Sequence, residues 1–152
     1  MIGFGLLLFG VAFACKPSTK GVALTQVVVQ APFEMPAIAM PDFSKCKQFS
    51  IVDFGAEPTN QSKNTAALSR AIEKAHTAGG GIVRIPQGQW LTGPIHLKSH
   101  VNLHLDEGAV LLFSGNPADY LPAVHTTWEG MECFNYSPLI YAFESENVAI
   151  TG

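Results

Sequence analysis

The stretch GPIHLKSHVNLHLDEGAVLLFSG, residues 93–115, decides how this chain folds. His96, His100 and His104 recur in it every four positions. Such spacing puts side chains on one face of a helix, and two histidines so placed can share a zinc ion. The residues between them point elsewhere. Ile95, Leu97, Val101, Leu103 and Leu105 are apolar, while His96, Lys98, Asn102, His104 and Asp106 are polar. The alternation has period two and breaks only at Ser99-His100, so it predicts two short strands joined by a turn. Residues four apart on a strand stand roughly 13 Å from each other, and no Glu or Cys completes a zinc motif nearby. The three histidines are therefore expected on the outward, solvated face of a sheet, with no metal and no cofactor.

Short β-like runs continue on both sides: GIVRIP (81–86), PIHL (94–97), VNLHLD (101–106), AVLLFS (109–114), LIYAFE (139–144) and NVAITG (147–152). Leu111, Leu112 and Phe113 form an unbroken apolar run, which predicts burial on both faces. FSIVDFGA (49–56) reads as a further strand. One segment has the helical period: in 64–77 the residues Ala67, Leu68, Ala71, Ile72 and Ala75 share a stripe, with Asn64 as N-cap and Gly79 to Gly81 as the stop. Many short strands and small turns led by one amphipathic helix predict an all-β stacked solenoid. The helix is expected to cap its open end, where bare strand edges invite aggregation.

The chain has 152 residues, 47% of them hydrophobic and 14% charged, which excludes a disordered chain and allows a core of real size. All nine Lys and Arg lie between Lys16 and Lys98, whereas residues 101–152 hold seven acids and no base. Nucleic acid is excluded as a partner of that third, since phosphate binding needs cations. Residues 1–15, MIGFGLLLFGVAFAC, read as a signal peptide, so the protein is expected to be exported. Cys15 after the small-x-small AFA also fits lipidation and membrane anchoring through a lipoprotein-type signal. Residues 16–48, with Pro32, Pro36 and Pro41, read as a linker or extended lead-in in which TQVVVQ (25–30) could form an edge strand. Cys46 and Cys133 could pair in an oxidising compartment or stay free and buried.

Residues 49–152 also resemble the N-terminal part of glycoside hydrolase family 28, the polygalacturonases and related pectin-degrading hydrolases. The likeness rests on DFGA (53–56), on the Gly-rich stop, on GPIHLKSHVNLHLDEGAVLLFS, and on WEGMECFNYSPLIYA (128–142). The segment 57–63, EPTNQSK, departs from the Gly- and Asp-rich turn usual in the family. The resemblance implies a right-handed parallel β-helix, of which these are the first coils. It implies inverting hydrolysis of α-1,4-galacturonosyl bonds in pectin or a related galacturonate polysaccharide. Inversion needs one carboxylic acid for the leaving oxygen and a second carboxylate for the water. The family's Asn-Thr-Asp, Asp-Asp, Gly-His-Gly and Arg-Ile-Lys motifs do not occur in residues 1–152, so no catalytic residue is expected here and the chain reads as an inactive N-terminal fragment.

Of the local acids, Asp106, Glu107, Glu144 and Glu146 border turns and Asp119 lies in a Pro-bounded loop, all solvated positions. The segment 125–138, HTTWEGMECFNYSP, is long and aromatic and lies between strands. Either it packs its aromatics back on the solenoid, or Trp128, Glu129, Asn135 and Tyr136 form a wall of the substrate cleft, with Phe134 and Glu132 beside them. Two further readings are a polysaccharide lyase or tailspike-like protein on the same solenoid, and a non-catalytic carbohydrate-binding module.

Overall fold

A computed structural model describes residues 21–58 and 60–152. The expected signal peptide and Cys15 lie outside these residues. In chain order the strands are β1 (Ala23–Val27), β2 (Ile38–Asp42) and β3 (Gln48–Ser50), then helix α1 (Gln61–Thr77). There follow β4 (Gly81–Ile85), β5 (Gly88–Thr92), β6 (Ile95–His96), β7 (Val101–Leu105) and β8 (Ala109–Phe113). Strands β9 (Val124–Trp128), β10 (Met131–Asn135), β11 (Ile140–Tyr141) and β12 (Ala149–Thr151) complete the order. Among the described residues no helix is long and apolar enough to cross a membrane.

Successive passes of the chain lie in parallel on one another. One sheet has the order β12-β7-β4-β3, a second pairs β5 with β8, and a third pairs β6 with β11. Register explains why alternation was the right signal. Phe49 pairs with Val83 and Val83 with Leu103, and this ladder faces inward, 5%, 0% and 0% exposed. The neighbouring ladder of Ser50, Arg84, His104 and Thr151 faces out. Stacking like on like is what a parallel register requires, because a slip of one residue would turn the apolar set to solvent. The inward ladder ends on Ile150, which is 54% exposed on the outermost strand β12.

The stripe of α1 is buried as expected: Ala67, Leu68, Ala71, Ile72 and Ala75 are all at most 1% exposed and join one core with Phe49, Ile51, Val83, Ile85, Ile95 and Leu103. The helix packs against β3, β4, β5 and β6. Gly79 and Gly80 end it with φ of 84° and 128°, and the Gly80 amide donates to the carbonyl of Ala75. A Cβ on Gly81 would lie 2.7 Å from the Phe49 ring, so the stop is also a place of close approach.

Four expectations need correction. Asn64 is not the N-cap: the helix starts at Gln61, and Asn64 is fully buried inside it, where two backbone groups of other segments engage its amide. FSIVDFGA is not one strand, because β3 ends at Ser50 and Ile51–Phe54 form a 3-10 turn closed by Gly55 at φ 87°. The three-residue spacing of Ile51 and Phe54 suits that turn and sends both side chains to the core. The lead-in holds more than the edge strand expected over 25–30, since β1 at Ala23–Val27 pairs antiparallel with β2. Pro41 sits in β2 because both strands of a two-stranded sheet are edges, where a missing N–H is tolerated. The run Leu111–Phe113 is buried on one face only: Leu111 and Phe113 pack on the core, while Leu112 is 42% exposed. Among the described residues no second layer covers its outer side.

Candidate functional site

Pairing offsets locate the most unusual feature. Gly81 pairs with Val101 and Gly88 with Ala109, about twenty positions on, but Ile95 pairs with Ile140 and Asn102 with Ala149, more than forty positions on. The extra length lies between β8 and β11 and contains the aromatic segment. It is an antiparallel hairpin, β9 on β10, with Trp128 opposite Met131 and Asn135 opposite Val124. Glu129 and Gly130 make the two-residue turn, both at positive φ (48° and 83°), as a tight hairpin connection requires.

One face of the hairpin is fastened down. The Tyr141 hydroxyl donates to the His125 carbonyl at 2.6 Å. The His125 ring lies between Phe134 and Phe143, with centroids 5.5 and 5.3 Å away and both contacts edge-on. The buried Ser137 closes the segment, its amide donating to the Tyr120 carbonyl at 3.0 Å. The other face and the tip are open. Trp128 is 63% exposed and Met131 67%, and the Phe134 ring, though it lies beside His125 on the fastened face, is itself 74% exposed. Trp128, Met131, Cys133, Phe134 and Asn135 line a shallow cavity of about 380 Å³. Within the segment His125 packs back, Trp128 and Asn135 border the cavity, Glu129 stands in the turn, and Tyr136 is exposed just beyond β10.

The three histidines have three separate sets of partners. His96 Nε2 lies 2.9 Å from Ser137 Oγ, and that hydroxyl donates to the Pro138 carbonyl, so Nε2 carries the hydrogen and donates to Ser137. His100, at the turn with φ 67°, accepts from Asn147 Nδ2 at 3.2 Å and has Nε2 3.5 Å from Glu146. His104 Nδ1 donates to Thr151 Oγ1 at 2.8 Å, because that hydroxyl in turn donates to Asn102 Oδ1. Partial burial holds the His96 imidazole below its ordinary pKa. We therefore expect the ring protons of His96 to titrate by NMR below pH 6.5. A depressed pKa means that the folded state resists protonation, so this residue's contribution is present above the unfolded value and lost as pH falls. A midpoint at or above 6.5 would contradict the burial and bonding described.

The carboxylates are engaged in structure. Asp106 pairs with Arg84 at 2.7 Å, Glu73 with Lys98, and Glu132 lies 3.7 Å from His125 Nε2. Asp119 accepts from Ser114 Oγ and from Gln61 Nε2, and these bonds hold it below the usual carboxylate range. Asp42 and Glu73 are shifted the same way by their hydrogen bonds. A general acid for a glycosidic oxygen needs the opposite shift. Cys46 and Cys133 are free thiols.

Reading the sequence missed β2, β5, β9 and β10. The hairpin had a signal: V-H-T-T-W and M-E-C-F-N, runs holding β-branched and aromatic residues, flank the two-residue Glu-Gly. The buried role of Asn64 had none, because its partners come from Glu57 and Leu91.

Residues 48–109 match the family described as "Rhamnogalacturonase A/epimerase, pectate lyase-like". An exo-poly-alpha-D-galacturonosidase of Dickeya chrysanthemi is 32% identical over 104 residues, 68% of this chain and 17% of that relative. The crystal structure of a hyperthermoactive exopolygalacturonase from Thermotoga maritima superposes with a TM-score of 0.66 at 43% identity, covering 74% of this chain and 24% of that one. The family 28 exopolygalacturonase of Yersinia enterocolitica gives a TM-score of 0.62 at 32% identity, covering 76% and 21%. The chain thus spans about a quarter or less of the length of these relatives. With 32–43% identity over two thirds or more of its length, the chain is a homologue of the polygalacturonases of glycoside hydrolase family 28.

Proposed function

We propose that this chain is the N-terminal segment of an exported, pectin-degrading glycoside hydrolase that cleaves galacturonosyl bonds with inversion, and that its three parallel sheets are the first coils of a right-handed β-helix. The observation behind the reading is 43% identity over 74% of the chain to an exopolygalacturonase. In this reading residues 49–152 are the start of the β-helix domain and residues 16–48 its lead-in. The segment supplies the capped beginning of the solenoid and one wall of a cleft, formed by Trp128, Glu129, Asn135 and Tyr136. The carboxylates that act on the bond belong to the remainder of such a protein. Residues 1–15 would direct export, with Cys15 as a lipid anchor.

Product analysis tests this. The complete gene product should release reducing ends from polygalacturonate, and proton NMR of the first product should show the β-anomer, as single displacement on an α-linkage demands. The family description of residues 48–109 also names an epimerase and a pectate lyase-like class, so a lyase is the second reading. Unsaturated product ends in place of new reducing sugar with an inverted centre would establish it.

A further inference from the structure

We infer that the hairpin cavity takes an uncharged sugar, a methyl-esterified uronate or a neutral side-chain residue of pectin, in preference to free galacturonate. The inference rests on the reading that the protein acts on pectin, and concerns which part of that polymer meets the hairpin. The cavity, lined by Trp128, Met131, Cys133, Phe134 and Asn135, contains no cation, and its volume of about 380 Å³ is at the small end for ligand sites, roughly 300–1,000 Å³. From residue 101 to residue 152 there is no Lys or Arg to receive a carboxylate. The same hairpin carries two acids, neither of them in the lining. Glu129 follows Trp128 in the chain and is exposed in the turn, and the side chain of Glu132 is 81% exposed on the next strand. Glu129 is the chain neighbour of Trp128, and charges that close repel one another, incompletely screened at physiological salt, where the screening length is about 8 Å. Esterification removes the charge of a uronate and adds a methyl group suited to the apolar lining of Met131 and Phe134. The Trp128 ring offers a flat face for the C–H side of a sugar, and the amide of Asn135 offers donors of the kind a hydroxyl accepts.

The test titrates this chain with two probes of the same sugar backbone, fully methyl-esterified trigalacturonate and the free acid, which differ in the charge and the ester methyl of each carboxyl. The indole N–H of Trp128 is followed by NMR, with the buried Trp90 as an internal reference. The esterified trimer should shift the Trp128 signal and leave that of Trp90 in place, and the free acid should bind at least about tenfold more weakly. Trp128→Ala should abolish the response. Glu129→Gln together with Glu132→Gln should bring the two probes closer. Equal or tighter binding of the free acid overturns the inference, as does a response unaffected by Trp128→Ala. A Trp128 signal that moves with protein concentration alone also overturns it, because a second copy then covers the surface. The two readings fail separately. An active gene product whose hairpin ignores the esterified trimer removes this inference alone, and a hairpin that binds the trimer in an inactive gene product removes the hydrolase reading alone.

Discussion

Leu68→Ala will lower the unfolding free energy by about 2–5 kcal/mol, the usual range for a buried leucine cut to alanine. Leu68 is 1% exposed at the middle of the α1 stripe, between Ala67 and Ala71, and shares its core with strands from successive passes. Ala67 and Ala71 beside it on the helix are too small to fill the space. The strands beneath are tied by ladder hydrogen bonds and cannot collapse into it, so the cavity term should be near its upper part. Urea unfolding gives the number, read as a lower midpoint at unchanged slope. Leu68→Met keeps the volume and should cost under about 1.5 kcal/mol. A loss near zero for Leu68→Ala would mean that the helix does not pack on the sheets as described.

Asn64→Ala will cost a similar amount, about 2–5 kcal/mol, by a different route. Asn64 Oδ1 accepts the Glu57 amide at 2.8 Å, and its Nδ2 donates to the Leu91 carbonyl at 3.0 Å. One side chain therefore joins the segment before α1, the helix itself and the end of β5. Its removal leaves two backbone groups without partners next to a fully buried position, at about 1–3 kcal/mol each. Asn64→Asp keeps the acceptor and loses the donor, so it should fall between alanine and wild type. An alanine variant as stable as wild type would show that water satisfies both groups.

The parts of the fold that could be read from sequence are those whose cause is periodic. The stripe from Ala67 to Ala75 and the alternation from Ile95 to Leu105 each repeat the geometry of the element they form. The parts that could not be read depend on partners distant in sequence. Leu112 belongs to an apolar run, yet it is exposed because none of the described residues forms a layer over that side of β8. Asn64 has the composition of a cap, but the approach of Glu57 and Leu91 makes it a buried clamp. In the candidate site, Trp128, Glu129, Asn135 and Tyr136 were legible as an aromatic segment between strands. Its hairpin pairing was legible in principle, whereas the anchoring of His125 by Phe134, Phe143 and Tyr141 was not, because it joins three stretches of chain.

The central claim is that this segment supplies the beginning of a hydrolase fold and not its catalytic pair. The most direct measurement compares residues 21–152 with the complete gene product for reducing ends released from polygalacturonate. The complete protein should be active and the segment inactive, because its acids are held in ion pairs, turns and hydrogen bonds and those with shifted pKa are shifted downward. Hydrolysis by the purified segment, lost on Glu129→Gln or Glu132→Gln, would contradict the account.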